Sequence, residues 1–185
     1  MSALTIYPDN CADSGALYTD FTAIQKQLVT IGVNFEQWTS ECLLPVDADQ
    51  SSVLAAYATS IERLKRQCNF QSVDVMKLNP DHPEKTTFRQ RFLAEHRHDD
   101  FEVRFFVEGR GLFYLHAEGK VYAVLCEQGD LISVPANTAH WFDMGENPKF
   151  TCIRLFTTPD GWVANFTGSD IAKTFPTFDQ YVAEL

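Results

Sequence analysis

Residues 94–111 read AEHRHDDFEVRFFVEGRG, and the spacing of their charged groups decides how the chain folds. In an extended strand, residues two apart share a face, so His96, His98, Glu102 and Arg104 point the same way. Two imidazoles, a carboxylate and a guanidinium on one inward face are costly to bury without strong partners, and a divalent cation would serve three of them. A His-x-His pair alone is more often a solvated or hydrogen-bonded surface feature. A second stretch, GDLISVPANTAHW at 129–141, changes that balance. There Gly129 ends a turn, a strand leads to Pro135, and His140 follows just past a loop, where a partner strand can deliver a fourth ligand.

Around these two stretches the pattern is that of strands. From about Val73 to Phe156, short runs rich in Val, Ile, Phe and Tyr alternate with the turn signals EGRG, AEGK, EQGD and GENPKF. They predict roughly eight strands without intervening helices, hence an antiparallel sandwich or closed barrel rather than a parallel α/β sheet. Two amphipathic helices precede them. The first is marked by Phe21, Ile24, Leu28 and Ile31, with Ser14 or Asp20 as cap and Gly32 as stop. The second is marked by Val53, Leu54, Tyr57, Ile61, Leu64 and Cys68 after a polar DADQSS segment. An aromatic tail from Pro159, with Trp162, Phe166, Phe175, Phe178 and Tyr181, is expected to lie against the barrel. The expected organisation is one domain over 1–185: a mostly helical flank at 1–72, a barrel core at 73–157 and a packed tail at 158–185.

Bulk properties narrow the function. With 185 residues, 45% hydrophobic and 22% charged, the chain can build one real core. A net charge of −10 disfavours nucleic acid and anionic membrane as partners, and a small anionic substrate would need a local positive centre such as a metal or a buried Arg. Cys11, Cys42, Cys68, Cys126 and Cys152 show no Cys-x-x-Cys pair, which suits reduced thiols in a cytoplasm. There is no basic-then-apolar leader pattern and no apolar run of membrane-spanning length. A cytoplasmic monomer is expected.

The two stretches resemble the cupin superfamily. His96, His98, Glu102 and Gly109 fit its first motif, and Gly129, Pro135 and His140 its second, from which Asn137 and Met144 depart. Asn tolerates the left-handed backbone that a turn Gly would supply. Within cupins, HRHDDFEVRFFVEG, VPANTAHWFDMG and CIRLF resemble the acireductone dioxygenase family of methionine salvage, over roughly residues 88–165. Phe101 stands where many relatives carry an acid, with Asp99 and Asp100 just before it. The resemblance implies a cupin-type antiparallel β-barrel (double-stranded β-helix) with flanking N-terminal helices.

It further implies a metal-dependent enzyme that cleaves an acireductone, 1,2-dihydroxy-3-keto-5-methylthiopentene, with dioxygen. The products implied are formate and 4-methylthio-2-oxobutanoate for an iron form, and formate, carbon monoxide and 3-methylthiopropanoate for a nickel form. Three imidazoles and a carboxylate suit a first-row transition ion better than magnesium or calcium, so one Fe(II) or Ni(II) per chain is expected on His96, His98, Glu102 and His140. Arg104 is the candidate catalytic residue, stabilising the substrate dianion, unless it merely pairs with Glu95, Asp100 or Glu108. Arg154 is a second substrate-binding candidate or a structural ion pair. Phe92, Phe142 and Trp162 are candidates for an apolar pocket around the methylthio tail, and Glu95 for a group supporting the first ligand. The rival readings are a manganese cupin oxygenase or decarboxylase and a non-enzymatic, ligand-binding cupin.

Overall fold

The computed structural model describes residues 1–45, 47–158 and 162–185; Pro159, at the head of the aromatic tail, lies outside them. The strands are β1 (Ala3–Pro8), β2 (Ala16–Tyr18), β3 (Asn34–Gln37), β4 (Ser72–Leu78), β5 (His96–Arg97), β6 (Glu102–Gly109), β7 (Gly111–Ala117), β8 (Lys120–Cys126), β9 (Asp130–Val134), β10 (Ala139–Asp143), β11 (Phe150–Phe156) and β12 (Asn165–Phe166). The helices are α1 (Phe21–Val29), α2 (Gln50–Ala56), α3 (Ala58–Cys68), α4 (Lys85–Leu93) and α5 (Phe178–Ala183). One sheet runs β12-β5-β10-β7-β8-β1-β2 and the other β3-β9-β6-β11-β4. Every strand pairing is antiparallel.

Period-two alternation sorts the side chains into three layers. Phe106, Phe113, Val124, Ile132, Phe142 and Cys152 pack between the sheets as the barrel interior. Their neighbours in sequence, such as Val103, Phe105, Ile153 and Leu155, point outward under α2 and α3. Phe105 is fully buried there, stacked 4.9 Å from Trp38 and tilted 4.7 Å from Tyr57. On the other sheet Tyr114 and Trp141 face outward and are covered by Phe175, Phe178 and Tyr181. Of the tail's five aromatics, therefore, these last three are buried, while Phe166 stays exposed.

Three expectations need correction. The flank 1–72 is not mostly helical: β1 and β2 extend the larger sheet beyond β8, and β3 pairs with β9 in the smaller one. These strands are three to six residues long, too short for alternation to stand out. The second helix breaks at Tyr57, whose backbone at φ −126° and ψ 20° separates α2, capped by Asp49, from α3. Finally, α4 interrupts the run of strands. It has no side-chain cap and no fully buried residue, so periodicity and capping are silent about it. It is pinned instead by Arg89, which grips the buried Asp143 through Nε and Nη2 at 2.8 and 3.1 Å.

Two backbone positions explain motif residues. Gly109 adopts φ +76°, and a Cβ there would lie 2.0 Å from the Lys149 carbonyl oxygen, a contact only glycine avoids. Asn137 adopts φ +63°, the left-handed conformation expected for a residue standing where the second motif has glycine. Its N–H donates to the His98 carbonyl at 2.7 Å, tying the two motif segments together.

Candidate metal centre

His96 begins β5 directly opposite His140 of β10, His98 follows β5, and Glu102 opens β6 beside Val134 of β9. All four side chains are buried, and their donor atoms lie within 4.8 Å of one another. Glu102 Oε2 is 3.0 Å from both His98 Nε2 and His140 Nε2. Each imidazole places Nδ1 against a backbone carbonyl: His96 at 2.7 Å from Ala94, His140 at 2.7 Å from Thr138 and His98 at 2.9 Å from Val163. A carbonyl only accepts, so Nδ1 carries the proton and Nε2 turns its lone pair inward.

Three inward lone pairs and an anionic oxygen repel one another unless a cation lies among them. Two donor atoms each about 2.1 Å from one ion, at right angles, sit about 3.0 Å apart, the spacing found around Glu102 Oε2. The donor set therefore fits a divalent transition metal. Protonation favours the same end at His96 and Glu102, but not at His98. Burial, and then His140, push the His96 imidazole down to about 4, keeping its lone pair free. Burial would raise the Glu102 carboxyl, but Arg104 and the two neighbouring imidazoles hold it well below the usual range. Burial also lowers His98, yet the Glu102 carboxylate outweighs it and leaves that group raised.

Arg104 stands two residues beyond Glu102 on the same face and is buried. Its partner is Glu102 itself, with Nε 2.9 Å from Oε1, and not Glu95, Asp100 or Glu108. The contact lacks hydrogen-bond alignment, so Glu102 Oε1 and Arg104 Nε and Nη1 have no hydrogen-bond partner among the described residues. Rings of Phe142, Phe92, Phe113 and Trp162 surround the guanidinium at 4.5, 5.2, 5.4 and 5.6 Å, a cage that holds a cation away from water.

A cavity of about 760 Å3 opens onto His96, His98, Glu102 and Arg104 and is walled by residues of β4, α4, β11 and the segment after β11, among them Phe92, Arg154 and Trp162. Phe142 does not line it; that ring is 1% exposed and lies in the barrel core against Arg104. Arg154 faces the cavity, but Asp74 of β4 holds its Nε and Nη2 at 2.9 and 2.6 Å. Glu95 supports no ligand side chain: its carboxylate is taken by His116 Nδ1 at 2.7 Å and Thr167 Oγ1 at 2.5 Å. The groups that do orient the imidazoles are backbone carbonyls, which no side-chain pattern reveals. Asp100, beside the unusual Phe101, accepts the Thr157 N–H at 2.9 Å. The Phe101 carbonyl accepts from Trp162 Nε1 at 2.9 Å, fixing a ring that covers His98.

An antiparallel barrel with three imidazoles and a carboxylate converging inside it defines a cupin-type protein with a candidate metal centre. The sequence pattern of the ARD/ARD′ family matches residues 7–164. The acireductone dioxygenase of Methylococcus capsulatus is 56% identical over 182 residues, spanning 98% of both chains. That of Alcanivorax borkumensis is 60% identical over 157 residues, spanning 85% of this chain and 87% of its own. Among solved structures, the acireductone dioxygenase from Bacillus anthracis with cadmium ion in its active center superposes with a TM-score of 0.79 at 28% identity, covering 90% of this chain and 98% of that one. The chain belongs to the ARD/ARD′ family, the acireductone dioxygenases.

Proposed function

We propose that the acireductone dioxygenase activity of this chain runs on one Fe(II) or Ni(II) ion held by His96, His98, Glu102 and His140. The observation that carries this is the convergence of three Nε2 atoms and Glu102 Oε2 with every Nδ1 committed to a carbonyl. Bound there, the ion supplies a Lewis acid and a template that two adjacent substrate oxygens can chelate. Nitrogen-rich, borderline donors favour iron or nickel over magnesium or calcium.

The chain's own residues do the rest. A divalent ion with Glu102 leaves about +1, and Arg104 raises this to +2, the charge that a substrate dianion neutralises. Arg104 Nη1, buried and without a hydrogen-bond partner among the described residues, is the group that donates to the enediolate, each charge-assisted bond contributing about 1.5–3 kcal/mol. The aromatic cage keeps that cation dry, which strengthens its pull on developing charge. Phe92 and Trp162 offer the methylthio tail an apolar wall. Arg154, already neutralised by Asp74, adds a fixed dipole rather than a free charge. The five free cysteines suit a reducing cytoplasm, and a monomer has all of these groups within one chain.

With iron the products are formate and 4-methylthio-2-oxobutanoate; with nickel they are formate, carbon monoxide and 3-methylthiopropanoate. Analysis of gas and organic acids from iron- and nickel-reconstituted protein tests this. Carbon monoxide from the nickel form alone is expected, and identical products from both ions would overturn the proposal.

A further inference from the structure

The charge of the cavity lining is opposite to that of the molecule. Four of the chain's 15 Lys and Arg but only two of its 25 Asp and Glu line the cavity, so the lining carries +2 in a chain of −10. The cations are Lys77, Arg91, Arg104 and Arg154, against Asp74 and Glu102. Three of the four are committed: Arg104 lies against Glu102, Arg154 is gripped by Asp74, and Lys77 Nζ donates to the Ala48 carbonyl. Arg91 is not. It is exposed on the last turn of α4, and it has no hydrogen-bond or ion-pair partner among the described residues. Its helix neighbour Phe92 reaches inward to within 5.2 Å of the Arg104 guanidinium, so α4 carries an outer and an inner cation-facing position along one wall.

We propose that Arg91 is a substrate-capture residue: an uncommitted cation at the cavity mouth that steers the anionic acireductone past an acidic surface and inward to Arg104. The inference rests on the anionic substrate reading given above. Exposed charges act over roughly 8–10 Å at physiological ionic strength. At that range the distant acids are screened, and the cation nearest the entrance sets the field an entering anion meets. Clefts lined by one sign of charge raise association rates in this way by about ten- to a thousandfold, and the gain disappears as salt rises. Lys77, whose partner is a neutral carbonyl, adds to the same field from β4.

The test compares wild type, Arg91→Gln, Arg91→Glu and Arg91→Lys as metal-loaded proteins, with kcat and kcat/KM for the acireductone measured at low and high ionic strength. At low salt, Arg91→Gln should lower kcat/KM by about three- to tenfold and Arg91→Glu by more, with the loss falling on KM rather than kcat. Arg91→Lys should stay near wild type, and high salt should bring all four together. Equal kcat/KM and equal salt dependence across the series would overturn the proposal. So would a loss that salt does not remove or that falls on kcat, because Arg91 would then act after capture or on the fold. Wild type that fails to turn over the acireductone would instead refute the substrate reading, a result distinguishable from any difference among the variants.

Discussion

Arg104 is where the chemistry of the site concentrates in one side chain. It is buried, faced by the Glu102 carboxylate, caged by four rings and left with an unpartnered Nη1. Arg104→Ala is expected to retain metal, because all four donors remain, while turnover falls at least about tenfold, the equivalent of one lost charge-assisted bond. Less substrate dianion should form on binding, as followed by ultraviolet absorbance. Near-normal turnover in a stable, metal-loaded variant would make Arg104 a scaffold residue. At this scale the sequence was most legible through motif spacing. The structure brings His96, His98, Glu102, Arg104 and His140 together, but not on one extended strand: alternation holds for Glu102 and Arg104 on β6, whereas His96 lies on β5 in the other sheet and His98 just after it, across a bend from β6. It was least legible for partners. That Arg154 is held by Asp74 and that Glu95 turns to His116 and Thr167 depends on contacts between residues far apart in the chain, and that Arg104 lies against Glu102, only two residues away, depends on how the two side chains turn on their shared face. Phe142 was misplaced because an aromatic beside a ligand reads the same whether it faces a cavity or a core.

Among the elements, α4 joins an attachment without a fully buried residue to a direct part in the cavity, since it carries Phe88, Arg91 and Phe92 on the lining. Its anchor is Arg89 on Asp143, a carboxylate that is fully buried and also accepts the Gly145 and Phe178 N–H groups. Removing the cation leaves a buried charge with only those two donors. Arg89→Ala is therefore expected to destabilise the fold by about 3 kcal/mol, near the low end for breaking a buried pair, a loss that denaturant unfolding would read. A change below about 0.5 kcal/mol, the scale of an exposed pair, would show that α4 is held by its apolar contacts. The strands of the barrel were legible because Val, Ile and Phe alternate between turns that carry Gly. The eight expected from Val73 to Phe156 correspond to β4 through β11. β1, β2 and β3 were not, being short and stabilised by pairing with β8 and β9 rather than by any pattern of their own.

For the whole molecule, the two sheets bring His96 and His140 of one sheet against Glu102 of the other, so the donor set exists only when the barrel is closed. Metal binding and barrel closure should therefore be linked, with the bound ion stabilising the folded form. The acidic composition disfavours nucleic acid as a partner and calls for a local positive centre; the lining, with its excess of cations, lies around the one cluster of potential metal donors found among the described residues. The most direct test of the central claim is oxygen uptake with the acireductone by metal-stripped protein titrated with Fe(II). The account predicts no uptake by the stripped chain, a rate that rises to a plateau at one ion per chain, and no recovery in His96→Ala or His140→Ala. Uptake by the stripped protein, or full activity in either variant, would contradict it.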